Sequence, residues 1–98
     1  MARLLTNLGE FLIAQKEPQR AEQSLLQALA IQERELGSQH PETARTLSGL
    51  GDVQRLLGND AAASRFYQQA YAIFFTCHGA EHFRTKRVQA QLDQLPTT

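Results

Sequence analysis

The chain is short of almost everything that would staple, charge or anchor it. Its 98 residues include one cysteine, three prolines and no tryptophan. The lone Cys77 excludes an internal disulfide framework and fits a reducing compartment. Lys and Arg number 10 against 10 Asp and Glu, a formal net charge of zero. Nucleic-acid binders carry a basic excess to engage phosphates, so neither DNA nor RNA is an expected partner. Long apolar runs are missing too. A run such as Phe11-Leu12-Ile13-Ala14 falls far below the ~20 residues that span a bilayer. No charged-then-apolar leader with a cleavage site opens the sequence. The expectation is a cytoplasmic protein without membrane contact.

What is present is a repeat. A shift of 42 residues lays Arg3, Leu5, Leu8 and Gly9 on Arg45, Leu47, Leu50 and Gly51. The same shift matches Ala21 to Ala63, Gln27, Ala28, Ala30 and Ile31 to Gln69, Ala70, Ala72 and Ile73, and Gly37 and His40 to Gly79 and His82. A regular period in this range marks a stacked array, in which each unit buries its apolar face on its neighbour. Such an array offers a surface rather than an enclosed pocket, so binding is expected before catalysis.

Apolar spacing predicts five helices, over roughly residues 2–15, 19–35, 41–57, 60–78 and 82–95. The first places Leu5, Leu8 and Leu12 on one face. The second carries Ala21, Leu25, Ala28, Leu29 and Ile31, and the third Leu47, Leu50, Val53 and Leu57. The fourth, capped by Asn59 or Asp60, holds Phe66, Tyr67, Tyr71, Ile73, Phe74 and Phe75. Pro18 and Pro41 suit helix starts, where a missing N–H costs nothing. Gly37 and Gly79 suit helix ends in a left-handed conformation. No strand pattern competes with this period, so the expected class is all-α. One domain is expected, divided into residues 1–40, 41–80 and a final segment 81–98.

Leu5-x2-Leu8-Gly9-x2-Leu12, followed by Ala21-x3-Leu25-x2-Ala28, resembles the tetratricopeptide repeat signature. The second copy reads Leu47-x2-Leu50-Gly51, then Ala63-x3-Tyr67-x2-Ala70. The 42-residue spacing, the long second helix and the link His40-Pro41-Glu42-Thr43-Ala44 resemble the kinesin-light-chain type of this repeat. The resemblance covers nearly the whole chain. It implies a right-handed α-solenoid of two helix pairs and a C-terminal capping helix, acting as a protein–protein interaction module. Gly9 and Ala28 are then small so that two helices can approach closely. Gln54 stands where a large apolar residue is expected, which predicts looser packing in the second unit. Gln89, Asp93 and Pro96 give the fifth helix the polar face of a cap, so it is expected to be the end of the array. Met1 replaces the equivalent of Thr43, and no His-Pro link precedes it. An upstream repeat or another chain is expected to cover that end.

The resemblance also implies that the first helix of each pair lines a concave face where a ligand lies. Arg3, Asn7, Glu10 and Ala14 form one stripe there by their spacing. Arg45, Gly49, Asp52 and Leu56 repeat it on the third helix, and Arg87 and Gln91 on the fifth, with Thr6, Ser48 and Arg55 alongside. Arg3, Arg45 and Arg87 share one repeat position and are expected to form a ladder. Guanidinium forks engage carboxylates through paired hydrogen bonds, which points to an acidic peptide or protein ligand. The alternative is three solvated arginines neutralised by Glu10, Glu42 and Asp52, since exposed ion pairs are worth little. The candidate peptide-binding set is Arg3, Asn7, Glu10, Arg45, Ser48, Asp52, Arg55 and Arg87. The family's carboxylate clamp is not reproduced, because Thr6 and Glu10 stand where its Lys and Asn would. The paired asparagines usual in kinesin-light-chain-type repeats are reduced to Asn7, with Thr6, Ser48 and Gly49 in the other places.

Other constellations carry less. Cys77, His78, Glu81 and His82 contain metal-ligand types, but the adjacent Cys77 and His78 point about 100° apart on a helix. The expectation is no metal, a buried thiol and solvated imidazoles. Arg84, Lys86 and Arg87 read as a solvated face. No nucleophile–base pair or phosphate-cradling glycine loop is present, so neither an enzyme nor a cofactor is expected. The aromatic fourth helix is expected to be covered by the first two helices on one side and the fifth on the other. The first helix should expose an apolar flank containing Leu4, Phe11 or Ile13. A homodimer through the N-terminal helices would then recover about 1.5–3 kcal/mol per large side chain buried.

Overall fold

The computed structural model describes residues 1–96. Its helices are α1 (Ala2–Ala14), α2 (Pro18–Glu35), α3 (Pro41–Leu56), α4 (Asp60–His78) and α5 (Phe83–Gln94). No strand occurs among the described residues. The fold is an all-α helical-repeat solenoid. Pro18 and Pro41 are the first residues of α2 and α3. Gly37 and Gly79 take φ of 90° and 86°, a region closed to most side chains, and so reverse the chain after α2 and α4.

The repeated histidines turn out to be caps. The Nδ1 atoms of His40 and His82 accept the backbone N–H of Glu42 and Arg84, each at 3.1 Å. Each satisfies a donor that has no partner in the first turn of its helix. The expected side-chain cap of α4 is absent. Asn59 occupies the capping position without a capping bond, and its Nδ2 donates to Gln54 Oε1 at 3.0 Å.

Each helix packs on the next, and α1 also reaches α3. One buried cluster joins Leu12, Ala21, Leu25, Leu50 and Val53. A second gathers Ala44, Leu47, Tyr67, Ala70, Ile73, Phe74, Val88 and Leu95. Glycine sets the closest approaches. A Cβ on Gly9 would lie 2.6 Å from Leu25 Cγ, and one on Gly49 would lie 3.2 Å from Leu25 Cδ1. Tyr67, the repeat counterpart of Leu25, fills the equivalent place against Gly51, where a Cβ would meet ring Cε1 at 2.5 Å. A buried polar relay pins the register of α1, α2 and α3. Thr46 Oγ1 donates to Gln32 Oε1 at 2.7 Å, and lies 3.0 Å from Thr6 Oγ1. Such groups are costly to bury unpaired, so a slipped register would lose the bonds and keep the cost.

Several expectations change. Leu8 is exposed, and the buried side of α1 is Thr6, Gly9 and Leu12 rather than Leu5, Leu8 and Leu12. The reason is that the apolar arc of α1 spans more than half of the helix, opposite Arg3, Asn7 and Glu10, so spacing alone does not select which part of it is covered. Ile13 belongs to the inner side, half-buried against the first cluster, and not to the outer flank. Gln54 is buried, and its Nε2 donates to Glu22 Oε2 at 2.9 Å. The Cys77 thiol is exposed, not buried, and donates to Gln39 O at 3.3 Å. The aromatics of α4 are covered chiefly by α3 and α5, with Leu29 of α2 alongside, while Phe75 stays exposed.

Candidate functional site: the groove between α1, α3 and α5

Alternate helices share one face, where α1, α3 and α5 border an open groove of about 410 Å³ with Phe74 of α4 at its floor. Ile13, Ala14, Gly49, Phe74, Phe83 and Val88 give it apolar walls, and Glu10, Arg45, Ser48, Asp52, Arg84 and Arg87 its polar groups.

The three arginines of the expected ladder part company. Arg45 is committed to neighbours. Its Nε and Nη2 donate to the two oxygens of Glu10 at 2.9 and 2.6 Å, and Nη2 donates to Asn7 Oδ1 at 2.8 Å. Glu42 stands 3.6 Å from Arg45 Nη1 and 3.6 Å from Arg84 Nη1. The hydrogen bonds that Arg45 donates to Glu10 are the largest influence holding its guanidinium above its ordinary pKa. Arg3 lies outside the groove, beside a separate hollow of about 210 Å³ shared with Met1, Ala2, Leu36 and Glu42. Arg55 lies outside it as well, donating to Gln94 Oε1 at 3.3 Å. Arg87 remains in the groove with no ion pair within 4.0 Å among the described residues.

Asp52 forms the groove's inner polar corner. Tyr67 Oη donates to its Oδ1, and Gln91 Nε2 donates to the same oxygen at 2.8 Å. Ser48 Oγ donates to Gln91 Oε1 at 3.2 Å, so α3 and α5 are tied across the groove. Burial pushes the Asp52 carboxyl above its ordinary 3.8, against the smaller downward pull of Tyr67, Arg55 and Arg87. Burial and the neighbouring Asp52 raise the Tyr67 hydroxyl above its ordinary 10.0.

The raised Asp52 makes a testable claim. The folded chain holds that proton more tightly than the unfolded chain does. Asp52 therefore favours folding in acid, and this contribution is lost as pH rises from 3.8 through the raised value. Asp52→Asn keeps an acceptor for Tyr67 and removes the charge. The variant is expected to be at least as stable as the parent at neutral pH, with the gap closing below about pH 4. Urea unfolding at neutral and acid pH checks this, and a variant weaker at neutral pH would contradict it.

Sequence reasoning brought Glu10, Arg45, Ser48, Asp52 and Arg87 to this face. It missed Ile13, Phe74, Phe83, Arg84 and Val88. Phe83 opens α5 and is exposed, with the Arg84 guanidinium carbon 5.8 Å from its ring centre. The 42-residue shift lays Phe83 on Pro41 and Arg84 on Glu42, the first turn of α3. That register was a signal that both stand at the groove's edge.

Alternate helices lining one continuous groove define a helical-repeat array of the interaction type. Residues 1–74 match the tetratricopeptide repeat family, and the chain belongs to it. Repeats of this family mediate protein–protein interaction. The chain matches no curated protein. No described helix is long and apolar enough to cross a membrane.

Proposed function

We propose that the groove binds an extended peptide or protein segment through one carboxylate and an adjacent apolar side chain. The observation that carries this reading is the split lining of the groove. Arg87 is free of ionic partners among the described residues, while Ile13 and Phe83 offer apolar surface in the same groove. A guanidinium fork in that position can take a carboxylate through two parallel hydrogen bonds. This is narrower than a three-arginine ladder, because Arg45 already holds Glu10 and Arg3 lies elsewhere.

Calorimetric titration with acidic and basic peptide sets tests it. Acidic peptides are expected to bind, and their affinity should fall as salt screens the exposed charge. Arg87→Glu should weaken them at least about tenfold, or about 1.4 kcal/mol, while Arg3→Glu should change little. Equal or better binding of basic peptides by the parent would overturn the reading. A kinesin-light-chain-like subtype is part of this proposal, supported by the 42-residue spacing and by α2 and α4 at 18 and 19 residues. A cytoplasmic site of action is supported by the exposed, unpaired Cys77 thiol.

A further inference from the structure

The repeat supplies an internal standard for the two corners that join one helix pair to the next. In the first, between α2 and α3, Thr43 Oγ1 donates to Gly37 O at 2.9 Å and His40 caps α3. The second, between α4 and α5, has Gly79, His82 and Thr85 in the same places. Its threonine makes no such bond. Thr85 Oγ1 is buried without a partner, and Gly79 O accepts the His82 N–H at 3.4 Å. A buried hydroxyl left unpaired is costly, so the second corner is held less firmly than its copy. Two imidazoles meet there as well. The shift that lays His82 on His40 lays His78 on Leu36, so the pair belongs to the second corner alone. The rings of His78 and His82 stack with centres 4.1 Å apart. Phe74 continues the stack beside His78 at 6.1 Å, and Phe83 beside His82 at 4.7 Å. The first turns differ too. α3 has Glu42 there, which suits the positive end of a helix, whereas α5 has no acidic residue and carries Arg84.

We propose that this corner is an acid-sensitive catch: a proton on His82 removes the cap of α5 and frees the first turn of that helix. The cap exists only while Nδ1 keeps a lone pair to accept the Arg84 N–H at 3.1 Å. An imidazolium is protonated on both nitrogens, so turning the ring over restores no acceptor. The new charge also meets the positive end of α5, the Arg84 guanidinium and the stacked His78. The nearby carboxylates are engaged elsewhere. Glu81, in the corner itself, holds Lys86 at 3.0 Å, and Glu42 of α3 stands 3.6 Å from both Arg45 and Arg84. Cys77, the other titratable group on this turn of α4, donates its thiol to Gln39 O. Partial burial, then His78 and Arg84, hold the His82 imidazole below its ordinary 6.5. The folded chain thus resists the proton that the unfolded chain accepts. His82 supports the fold in full above pH 6.5, and that support is lost as pH falls from 6.5 through the lowered value. Phe83, Arg84 and Arg87 ride on α5 and line the groove, so the same step loosens one groove wall. Only this last consequence rests on the peptide-binding reading.

Nuclear magnetic resonance of the labelled full chain, titrated from about pH 7.5 to about pH 5, tests the catch. The His82 ring signals are expected to titrate below 6.5, with the Arg84 backbone amide following the same midpoint. Over that range the amides of Lys86, Arg87 and Val88 should lose hydrogen-exchange protection at least about fivefold, after correction for the intrinsic rate. Their counterparts Ala44, Arg45 and Thr46 on α3 should keep theirs. His82→Asn supplies a capping amide that takes no proton, and should abolish the loss. His78→Gln removes the stacked ring from an exposed position, and should raise the His82 midpoint with the fold unchanged. An acidic peptide should bind the parent several-fold more weakly at the acid end, and His82→Asn equally at both. If the amides respond as expected while no acidic peptide binds at any pH, the catch stands and the groove reading fails. A His82 midpoint at or above 6.5, an Arg84 amide indifferent to it, or equal loosening of α3 would overturn the catch. So would a His82→Asn chain that loosens as the parent does.

Discussion

Gly51→Leu is expected to abolish the cooperative melting of the chain or lower its midpoint by more than about 10 °C. The first added carbon alone would stand 2.5 Å from Tyr67 Cε1 and 2.7 Å from Cδ1. The ring has nowhere to go. Tyr67 is fully buried and its hydroxyl is tied to Asp52 on α3, so the clash is met at both ends. Replacing glycine inside a helix gains up to ~1 kcal/mol of helical propensity. Overpacking costs about 1–3 kcal/mol where the core can adjust, and more where it cannot. Here α3 and α4 must separate, and that interface carries the larger of the two buried clusters. A thermal melt by circular dichroism reads the result. A midpoint within a few degrees of the parent would mean that α3 and α4 do not meet at Gly51.

The second large effect is a change of sign. Leu25→Ala is expected to cost about 2–5 kcal/mol, because Leu25 is fully buried between Gly9 of α1 and Gly49 of α3. In the parent, Gly9→Ala should destabilise, since its methyl would sit 2.6 Å from Leu25 Cγ and Cδ2. In the Leu25→Ala background the same methyl enters the vacated space, and the helix gains an alanine. Gly9→Ala should then stabilise by up to about 1 kcal/mol. Urea unfolding of the four chains gives the coupling directly. Additive effects would show that Leu25 and Gly9 are not in contact.

These packing relations are close to legible in the sequence itself. The repeat lays Gly9 on Gly51 and Leu25 on Tyr67, and both glycines do lie under the large residue of their own helix pair. Helix ends were readable for the same reason, since proline and glycine restrict the backbone wherever they stand. The faces were less so. The broad apolar arc of α1 leaves period alone unable to say which part is covered, and the Leu5-Leu8-Leu12 spacing points to Leu8, which is exposed. The comparison that resolves it is between copies. Thr46 and Leu50 on α3 mark the covered face, which on α1 is Leu4 and Leu8.

The site was legible in position and less so in state. Repeat position placed Arg45 and Arg87 on the groove, but charge state depends on what else reaches each residue. Glu10 and Asn7 reach Arg45 from the neighbouring helix, and no one-helix pattern contains that contact. Phe83 has no counterpart at its repeat position, where α3 has Pro41, so the repeat pattern does not single it out. The caps formed by His40 and His82 escaped because imidazole is an uncommon capping group, although the repeat of Gly-x2-His was plain.

The central claim is that the α1–α3–α5 face takes a carboxylate-bearing segment at Arg87. Backbone amide chemical shifts of the labelled chain, followed during titration with an acidic peptide, test it most directly. The account predicts the largest changes at Ile13, Ser48, Gly49, Phe83 and Arg87, with the outer faces of α2 and α4 silent. Changes concentrated at Gln23, Gln27, Gln68 and Ala72 on those outer faces, with Arg87 unmoved, would contradict it.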